Sequence, residues 1–260
     1  MPTKFAELLP GNYLWTTRYP GIVPLAGFVW LEMLPLTAYL YFHMGCVALL
    51  YPLLQWLFLG LYELGYIAND KAGTAAEQQS RPVVDVIGKH LGFVLLSRVV
   101  LFLGGALLVA RYQGVTEALS FIAISIAVVI LLLVHTWLGG LRPPLSRLRI
   151  VSFAWLAFSK YMPAAVVFAP FSVVFPGLLW IFLVYGAGRI AAYTVSKSSL
   201  PSTAMSDLNS LWYVAALPAA IVYYGYIDDG AGGVAILGVF GIYHAIFLLK
   251  RGWNSRFGRG

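Results

Sequence analysis

The sequence predicts an all-α polytopic membrane protein, in which a bundle of about eight helices crosses the bilayer. Of the 260 residues, 60% are hydrophobic and only 10% are charged, whereas a soluble domain carries about 25% charged residues. The mean hydropathy is +0.82, and runs of about 20 mostly apolar residues, the length that spans a bilayer, recur along the chain. These observations exclude a disordered chain, a fibrous repeat and an ordinary soluble enzyme. The single cysteine, Cys46, excludes a disulfide framework and a cysteine-based metal cluster.

We predict one transmembrane domain, residues 1–260, with eight apolar segments that span the membrane. They cover residues 22–42, 46–67, 91–110, 119–138, 151–169, 171–193, 211–226 and 234–249. Prolines fall inside several of them, which is tolerated when neighbouring helices satisfy the freed backbone groups. Gly104 and Gly105 are small enough to let helices approach closely. Before the first span, residues 1–20 carry apolar side chains, among them Leu14, that are typical of a segment lying on the membrane surface, although a frayed tail fits equally well.

Basic residues predict the orientation of the bundle. With the N-terminus in the cytoplasm, 13 of the 17 lysines and arginines fall in cytoplasmic segments, as the positive-inside rule requires. The cytoplasmic loops are then residues 68–90, 139–150 and 194–210, which are longer than the connections on the other side. Because residues for chemistry concentrate on loops held by a rigid scaffold, we expect the working face to be cytoplasmic. We expect an integral protein of the cell (inner) membrane with both termini in the cytoplasm.

The ionisable side chains inside the predicted spans include these six: Glu32, Glu63, Arg98, His135, Lys160 and Arg189. A charged residue in the middle of a membrane helix costs about 2.5–3.5 kcal/mol on insertion scales, so such residues usually face the interior of a bundle. Structural ion pairs, such as Glu32 with Lys160 or Arg98, would account for any one of them. Six together favour a water-filled cavity that opens to the cytoplasm. His135 alone is more typical of a hydrogen-bonded core residue than of a ligand.

The second span runs into the longest polar loop through a group of side chains on one helical face. These are Glu63, Tyr66, Asn69 and Asp70, whose spacing follows the turn of a helix. Glu77 lies on the same face if the helix continues past Gly73. Carboxylate and amide oxygens suit Mg²⁺, which usually keeps waters and bridges substrate phosphates, and Arg81 nearby would balance phosphate charge. An ordinary solvated loop is the alternative interpretation of the same residues.

These residues resemble the first motif of the UbiA-type intramembrane prenyltransferases. In that family the motif reads Asn-Asp-x-x-Asp-x-x-x-Asp and helps to hold Mg²⁺ and a diphosphate. Here Asn69 and Asp70 match its first two positions. Gly73 stands at the middle aspartate and Glu77 at the last one, and Arg81 and a proline follow.

Two later segments extend the resemblance. The stretch HTWLGGLRPPLSRLR, residues 135–149, is similar to an aromatic-Thr-x-x-Lys-Arg pattern of the family, with Arg142 or Arg147 in place of the basic pair. The loop between the sixth and seventh spans, where the family carries a second acidic motif, has Asp207 as its only acid. The family usually has nine helices, one more than the count here.

The resemblance implies a UbiA-like bundle and assigns roles to the residues in the motifs. The implied catalytic residues are Asn69, Asp70 and Glu77, and the implied Mg²⁺ ligands are Asp70, Glu77 and Asp207. The residues implied to bind substrate phosphates are Arg81, Arg142, Arg147, Arg189 and Lys197, with Arg149 as a further source of charge balance. The residues expected to line the cavity are Glu32, Glu63, Arg98, His135 and Lys160.

The implied function is transfer of a group to or from a polyprenyl phosphate or diphosphate, with diphosphate as the leaving group. Because the basic balance suits a substrate set rich in phosphates, phosphoribosyl transfer to polyprenyl phosphate is one form of it. The expected partners are a polyprenyl (di)phosphate lipid and the membrane, and not nucleic acid, since the net charge of +7 fits cytoplasmic loops facing anionic lipid. Two alternatives stay open: a membrane subunit with a catalytically degenerate site, and a carrier or flippase for lipid-linked substrates, which helices broken by proline would suit.

Overall fold

The structure is a computed structural model that describes residues 10–14, 22–77, 87–141, 148–197, 218, 222, 238–242 and 245–246. These residues are mostly helical and contain no β-strand. The helices are α1 (Ile22–Glu32), α2 (Leu34–Met44), α3 (Tyr51–Glu77), α4 (Leu91–Tyr112), α5 (Val115–Gly139), α6 (Leu148–Ser159), α7 (Met162–Ala165), α8 (Phe171–Ile181) and α9 (Ala187–Lys197). A 3-10 segment, Gly45–Leu50, joins α2 to α3, and a π-turn, Phe182–Gly186, joins α8 to α9.

Three helical stretches among the described residues are long and apolar enough to cross a membrane: Leu25–Ala72, Leu91–Tyr112 and Val115–Gly139. The first has 48 residues, which is about 72 Å of helix and more than twice the thickness of a hydrocarbon core. It is therefore long enough for the first two predicted spans, and it is divided at Gly45, whose φ of 67° ends α2. The predicted spans 211–226 and 234–249 lie largely outside the described residues, so the count of eight stays a prediction.

α4 and α5 coincide closely with the third and fourth predicted spans and carry apolar side chains on their outer faces. Leu96, Leu107 and Leu119 are 60–71% exposed. Arg98 and Ser125, on the same two helices, are fully buried. Large apolar side chains outside and polar groups inside are the arrangement expected when lipid is the solvent. The described chain is thus a helical membrane protein, as the composition predicts.

Glycines let three of these helices approach one another closely. A Cβ on Gly65 of α3 would lie 2.3 Å from Leu132 of α5, and a Cβ on Gly105 of α4 would lie 2.7 Å from Leu57 of α3. Such small residues are typical of helix contacts in membranes, where packing replaces the hydrophobic effect. The predicted packing role is confirmed for Gly105, whereas a Cβ on Gly104 would meet none of the described residues within 4 Å.

The predicted fifth span, 151–169, is wrong as a single helix, because the chain breaks between α6 and α7. Pro163 has no N–H to donate to the Ser159 carbonyl and its ring crowds that carbonyl, so α6 ends at Ser159. Within the break, the Lys160 carbonyl accepts a hydrogen bond of 3.0 Å from Nε2 of Gln55 on α3. A side chain of a neighbouring helix thus satisfies a backbone group at a proline-induced break.

Helices extend into the predicted cytoplasmic loops. α3 reaches Glu77, α6 begins at Leu148 and α9 reaches Lys197, so the predicted loops 68–90, 139–150 and 194–210 are helical at those ends. Three alanines between residues 72 and 76 favour the extension of α3, since alanine has the highest helix propensity and offsets Gly73. The helix that carries Asp70 therefore continues for two further turns.

Residues 10–14 lie against α3, where the sequence predicts a segment on the membrane surface. Leu14 is 1% exposed and belongs to the hydrophobic core, so this side chain packs on the helices, while the membrane-surface position of the segment stays a prediction. Gly11 has a φ of 84°, and a Cβ on it would lie 2.3 Å from the Trp56 ring. The backbone thus packs directly on α3, in a conformation that glycine adopts more easily than any other residue.

Candidate functional site

α3 carries Asn69 next to Asp70, about two turns before its C-terminal end, and each of them contacts a different part of the chain. Asn69 Oδ1 accepts a hydrogen bond of 2.9 Å from Nη2 of Arg149. Arg149 lies in the first turn of α6, at the end of the basic stretch 135–149. This contact joins two segments that are 80 residues apart in sequence.

His135, on the last turns of α5, holds the same guanidinium from another side. Nε of Arg149 lies 3.3 Å from His135 Nε2, and His135 Nδ1 lies 2.9 Å from the hydroxyl of Ser152. Because arginine only donates hydrogen bonds, Nε2 of the histidine is the acceptor and its proton is on Nδ1. The Ser152 hydroxyl, which receives that proton's hydrogen bond, donates in turn to the Arg149 carbonyl at 3.0 Å. We name Asn69, His135, Arg149 and Ser152 the Asn69 cluster.

Gly139 makes room for the guanidinium at the C-terminal end of α5. A Cβ on Gly139 would lie 2.9 Å from the guanidinium carbon of Arg149 and 3.0–3.1 Å from two of its nitrogens. The end of a helix carries partial negative charge, which favours a cation there. Arg149 is therefore placed by an amide, an imidazole and a helix end, so its position is well defined before any ligand binds.

Asp70 and Glu63, seven residues apart on α3, both contact the segment 10–14. The hydroxyl of Tyr13 donates a hydrogen bond to Asp70, whose side chain is 3% exposed. The two carboxylate oxygens of Glu63 accept hydrogen bonds of 3.0 Å from the backbone N–H groups of Gly11 and Leu14. Both acidic side chains are thus engaged by backbone or side-chain donors from near the N-terminus.

A second group of polar side chains, the Glu32 cluster, consists of Glu32, Lys160, Tyr161, Tyr185 and Arg189. Lys160 forms an ion pair with one oxygen of Glu32, and Nη1 of Arg189 lies 2.5 Å from the other. The hydroxyls of Tyr161 and Tyr185 donate to the same carboxylate at 2.7 and 3.3 Å. The pairing of Glu32 with Lys160, one of the two suggested by the sequence, is present. The cluster links α1 to the break between α6 and α7 and to α9. The water-filled cavity expected from these residues stays a prediction.

Several predicted site residues cannot be compared with these contacts. Arg81, Arg142, Arg147 and Asp207 lie outside the described residues, and Glu77 and Lys197 are the terminal residues of α3 and α9. Among the described residues, no three His, Cys, Asp or Glu side chains are grouped closely enough to hold a metal ion. The Asp70 carboxylate is the kind of ligand that Mg²⁺ takes together with waters and substrate phosphates, but here it accepts a hydrogen bond from Tyr13, and the side-chain oxygen of Asn69 accepts one from Arg149.

No family, no curated protein and no solved structure matches the chain. The likeness to UbiA-type prenyltransferases therefore rests on the motif residues alone.

Proposed function

We propose that the protein is an intramembrane transferase that acts on a polyprenyl phosphate or diphosphate and releases diphosphate. The observation that carries this proposal is the hydrogen bond between Arg149 and Asn69. It brings the Asn-Asp motif on α3 into contact with the C-terminal end of the basic stretch 135–149, of which residues 135–141 and 148–149 are described. The resemblance implies that both segments contribute to binding the diphosphate.

In the proposed reaction, a carbon–oxygen bond to the diphosphate breaks and the diphosphate leaves with the bonding electron pair. The acceptor forms a new bond to the same carbon. Arg149 is suited to bind the departing group, because a guanidinium forms paired, charge-assisted hydrogen bonds with phosphate oxygens. Donors fixed in advance where charge develops usually contribute the largest part of catalysis. Asp70, with Glu77 and Asp207, is proposed to hold Mg²⁺, which supplies further neutralisation of the diphosphate charge.

A lipid-soluble substrate suits the position of the site. Asn69 and Asp70 lie near the end of a 48-residue apolar stretch, where a phosphate head group would meet them while its chain stays in the bilayer. The basic residues favour a cytoplasmic position for this end and for both termini, in the cell (inner) membrane. A reporter enzyme fused after Gly260 that is active only on the opposite side would contradict this orientation.

Two neighbouring glycines allow a matched test of the Arg149 site. A methyl group at Gly139 would lie 2.9 Å from the guanidinium carbon, at the mobile end of a long side chain, so Gly139→Ala should displace Arg149 and leave the fold intact. The control is Gly140→Ala, whose methyl group would meet the Trp137 carbonyl oxygen at an ordinary 3.5 Å.

The measurement is the release of inorganic diphosphate by the protein in nanodiscs. Two substrate sets are tested separately. The first is a polyprenyl diphosphate with an aromatic acceptor, and the second is a phosphoribosyl diphosphate with polyprenyl phosphate as the acceptor. Relief of the 2.9 Å contact needs a shift of the guanidinium of at least a few tenths of an ångström. Since a displacement of about 1 Å can lower a rate by about a hundredfold, Gly139→Ala should be slower than Gly140→Ala by up to roughly that factor. Equal rates for the two variants would exclude Arg149 from the site. Absence of release by the wild-type protein with both substrate sets would favour a degenerate subunit or a carrier.

A further inference from the structure

The segment 10–14 occupies the face of α3 on which the proposed transferase needs access. Tyr13 is fully buried and packs with Ile67 of α3 and with Ile87 and Val94. Its hydroxyl donates to the Asp70 carboxylate. An Asp70 side chain that is 3% exposed and bound by a hydroxyl does not reach a ligand in this arrangement.

The segment 10–14 is held on α3 by hydrogen bonds as well as by apolar contacts. Such a mixed contact suits a segment that binds and leaves reversibly. Glu63 accepts the N–H groups of Gly11 and Leu14, and it also forms an ion pair of 2.9 Å with Arg98. When the segment leaves, Glu63 keeps its cation, so departure removes two backbone hydrogen bonds without leaving a buried charge uncompensated. An uncompensated buried charge would make the departure far more costly.

We propose that the segment 10–14 is a lid that closes over Asp70 and opens when a cation and a phosphate-bearing substrate bind. The inference rests on the proposed function, in which Asp70 meets the ligand. In the closed state the Tyr13 hydroxyl holds the carboxylate, and in the open state Mg²⁺ takes its place. Because Tyr13 occupies Oδ2 of Asp70 and covers the carboxylate, which is 3% exposed, substrate binding and lid closure exclude each other.

A disulfide between the segment and α3 provides a lock for the closed state. A Cβ on Gly60 would lie 3.7 Å from the Cβ of Pro10, within the roughly 3.5–4.5 Å that disulfides span. The lock is the double variant Pro10→Cys with Gly60→Cys, made together with Cys46→Ser because Cys46 is an exposed free thiol. The reduced protein and each single-cysteine variant are its controls.

The first readout is independent of any transfer reaction. Asp70 is coupled to glycine ethyl ester with a water-soluble carbodiimide, and the modified peptide is quantified by mass spectrometry. We expect Asp70 to be protected in the oxidised double variant and modified after reduction. Equal modification of oxidised and reduced protein would overturn the lid, whatever the activity. The second readout is diphosphate release, which should be lost on oxidation and return on reduction; unchanged release in the locked protein would also overturn it.

Tyr13→Phe tests the hydroxyl itself, because it keeps the packed ring and removes only the donor. A hydrogen bond to a charged group is commonly worth a factor of about ten to a hundred in an equilibrium, so modification of Asp70 should be faster by up to that factor. Tyr39→Phe is the matched control, since its hydroxyl donates to the Val173 carbonyl on α8. Slower diphosphate release by Tyr13→Phe with unchanged modification of Asp70 would overturn the lid and make Tyr13 a positioning residue. Confirmed protection of Asp70 without diphosphate release in any variant would keep the lid and reject the transferase.

Discussion

Arg98 on α4 and Glu63 on α3 form an ion pair in which Nη2 of the arginine lies 2.9 Å from Oε2 of the glutamate, and neither side chain is exposed. Nε of the arginine donates to the same oxygen at 3.1 Å. The pair therefore links two membrane helices through a charge-assisted contact from which lipid and water are excluded. It also holds the carboxylate that anchors the segment 10–14.

Removing the cation of this pair should destabilise the protein strongly. Arg98→Met keeps an unbranched chain of similar length but leaves Glu63 buried with backbone donors only. Breaking a buried ion pair on one side typically costs about 3–5 kcal/mol. We expect a loss of that size in the free energy of unfolding, measured by titration with sodium dodecyl sulfate in mixed micelles. A loss below about 1 kcal/mol, as for an exposed pair, would contradict the buried pairing.

Helix packing at glycine predicts a second stability difference. Gly65→Ala would push a methyl group to 2.3 Å from Leu132, a buried side chain of α5 with little room to move. Overpacking of this kind typically costs about 1–3 kcal/mol. Gly104→Ala is the control, because its methyl group meets no described residue within 4 Å and the change should be neutral or stabilising by up to about 1 kcal/mol through helix propensity. The same unfolding titration should separate the two variants, and similar values would contradict the close contact of α3 with α5.

The helices α4 and α5 could be predicted from the sequence because an uninterrupted apolar run of membrane-spanning length is visible in the order of the residues alone. The break between α6 and α7 could not be placed, although Pro163 was visible in the predicted span. A proline inside an apolar run either bends a membrane helix or ends it, and the outcome depends on partners such as Gln55, which lies 105 residues away. The length of α3 past Gly73 was equally undecided, since one glycine among good helix formers can end a helix or lie within it.

The sequence singled out the acidic motif of the candidate site more specifically than its basic residues. The Asn-Asp motif identified Asn69 and Asp70 from adjacent residues. Arg149 was one of several basic residues in the stretch 135–149, and its selection depends on a contact across 80 residues. Tyr13 was not singled out in the sequence, because its hydrogen-bond partner Asp70 lies 57 residues away. Ser152, three residues after Arg149, shares its helical face, and this spacing is the only local sign of its role.

The Glu32 cluster predicts an order among single substitutions. Glu32→Gln removes the carboxylate that lies between Lys160 and Arg189, so two cations then remain close together inside the bundle. Lys160→Met leaves Glu32 with its second cation. We expect Glu32→Gln to lower the free energy of unfolding by about 3–5 kcal/mol and Lys160→Met to lower it by less. If Lys160→Met lowers the free energy of unfolding more than Glu32→Gln does, the cluster is not organised around the Glu32 carboxylate.

The final prediction concerns the chemistry of Asp70. Asp70→Asn keeps the shape of the side chain and its place on α3 but removes the negative charge that a Mg²⁺ site needs. We expect diphosphate release to fall by about a hundred- to a thousandfold, the usual effect of losing a contact made in the transition state. Membrane insertion should be unchanged, and the free energy of unfolding should fall by no more than about 1.5–3 kcal/mol, which is what the hydrogen bond from Tyr13 to a charged carboxylate contributes.

Asn69→Ala should lower the rate less, because the amide orients Arg149 at 2.9 Å and does not neutralise charge. A chelator should abolish release by the wild-type protein, and added Mg²⁺ should restore it. If well-folded Asp70→Asn releases diphosphate at the wild-type rate, the carboxylate does not hold the metal. The Asn69 cluster would then have to bind the diphosphate through Arg149 without a cation at Asp70.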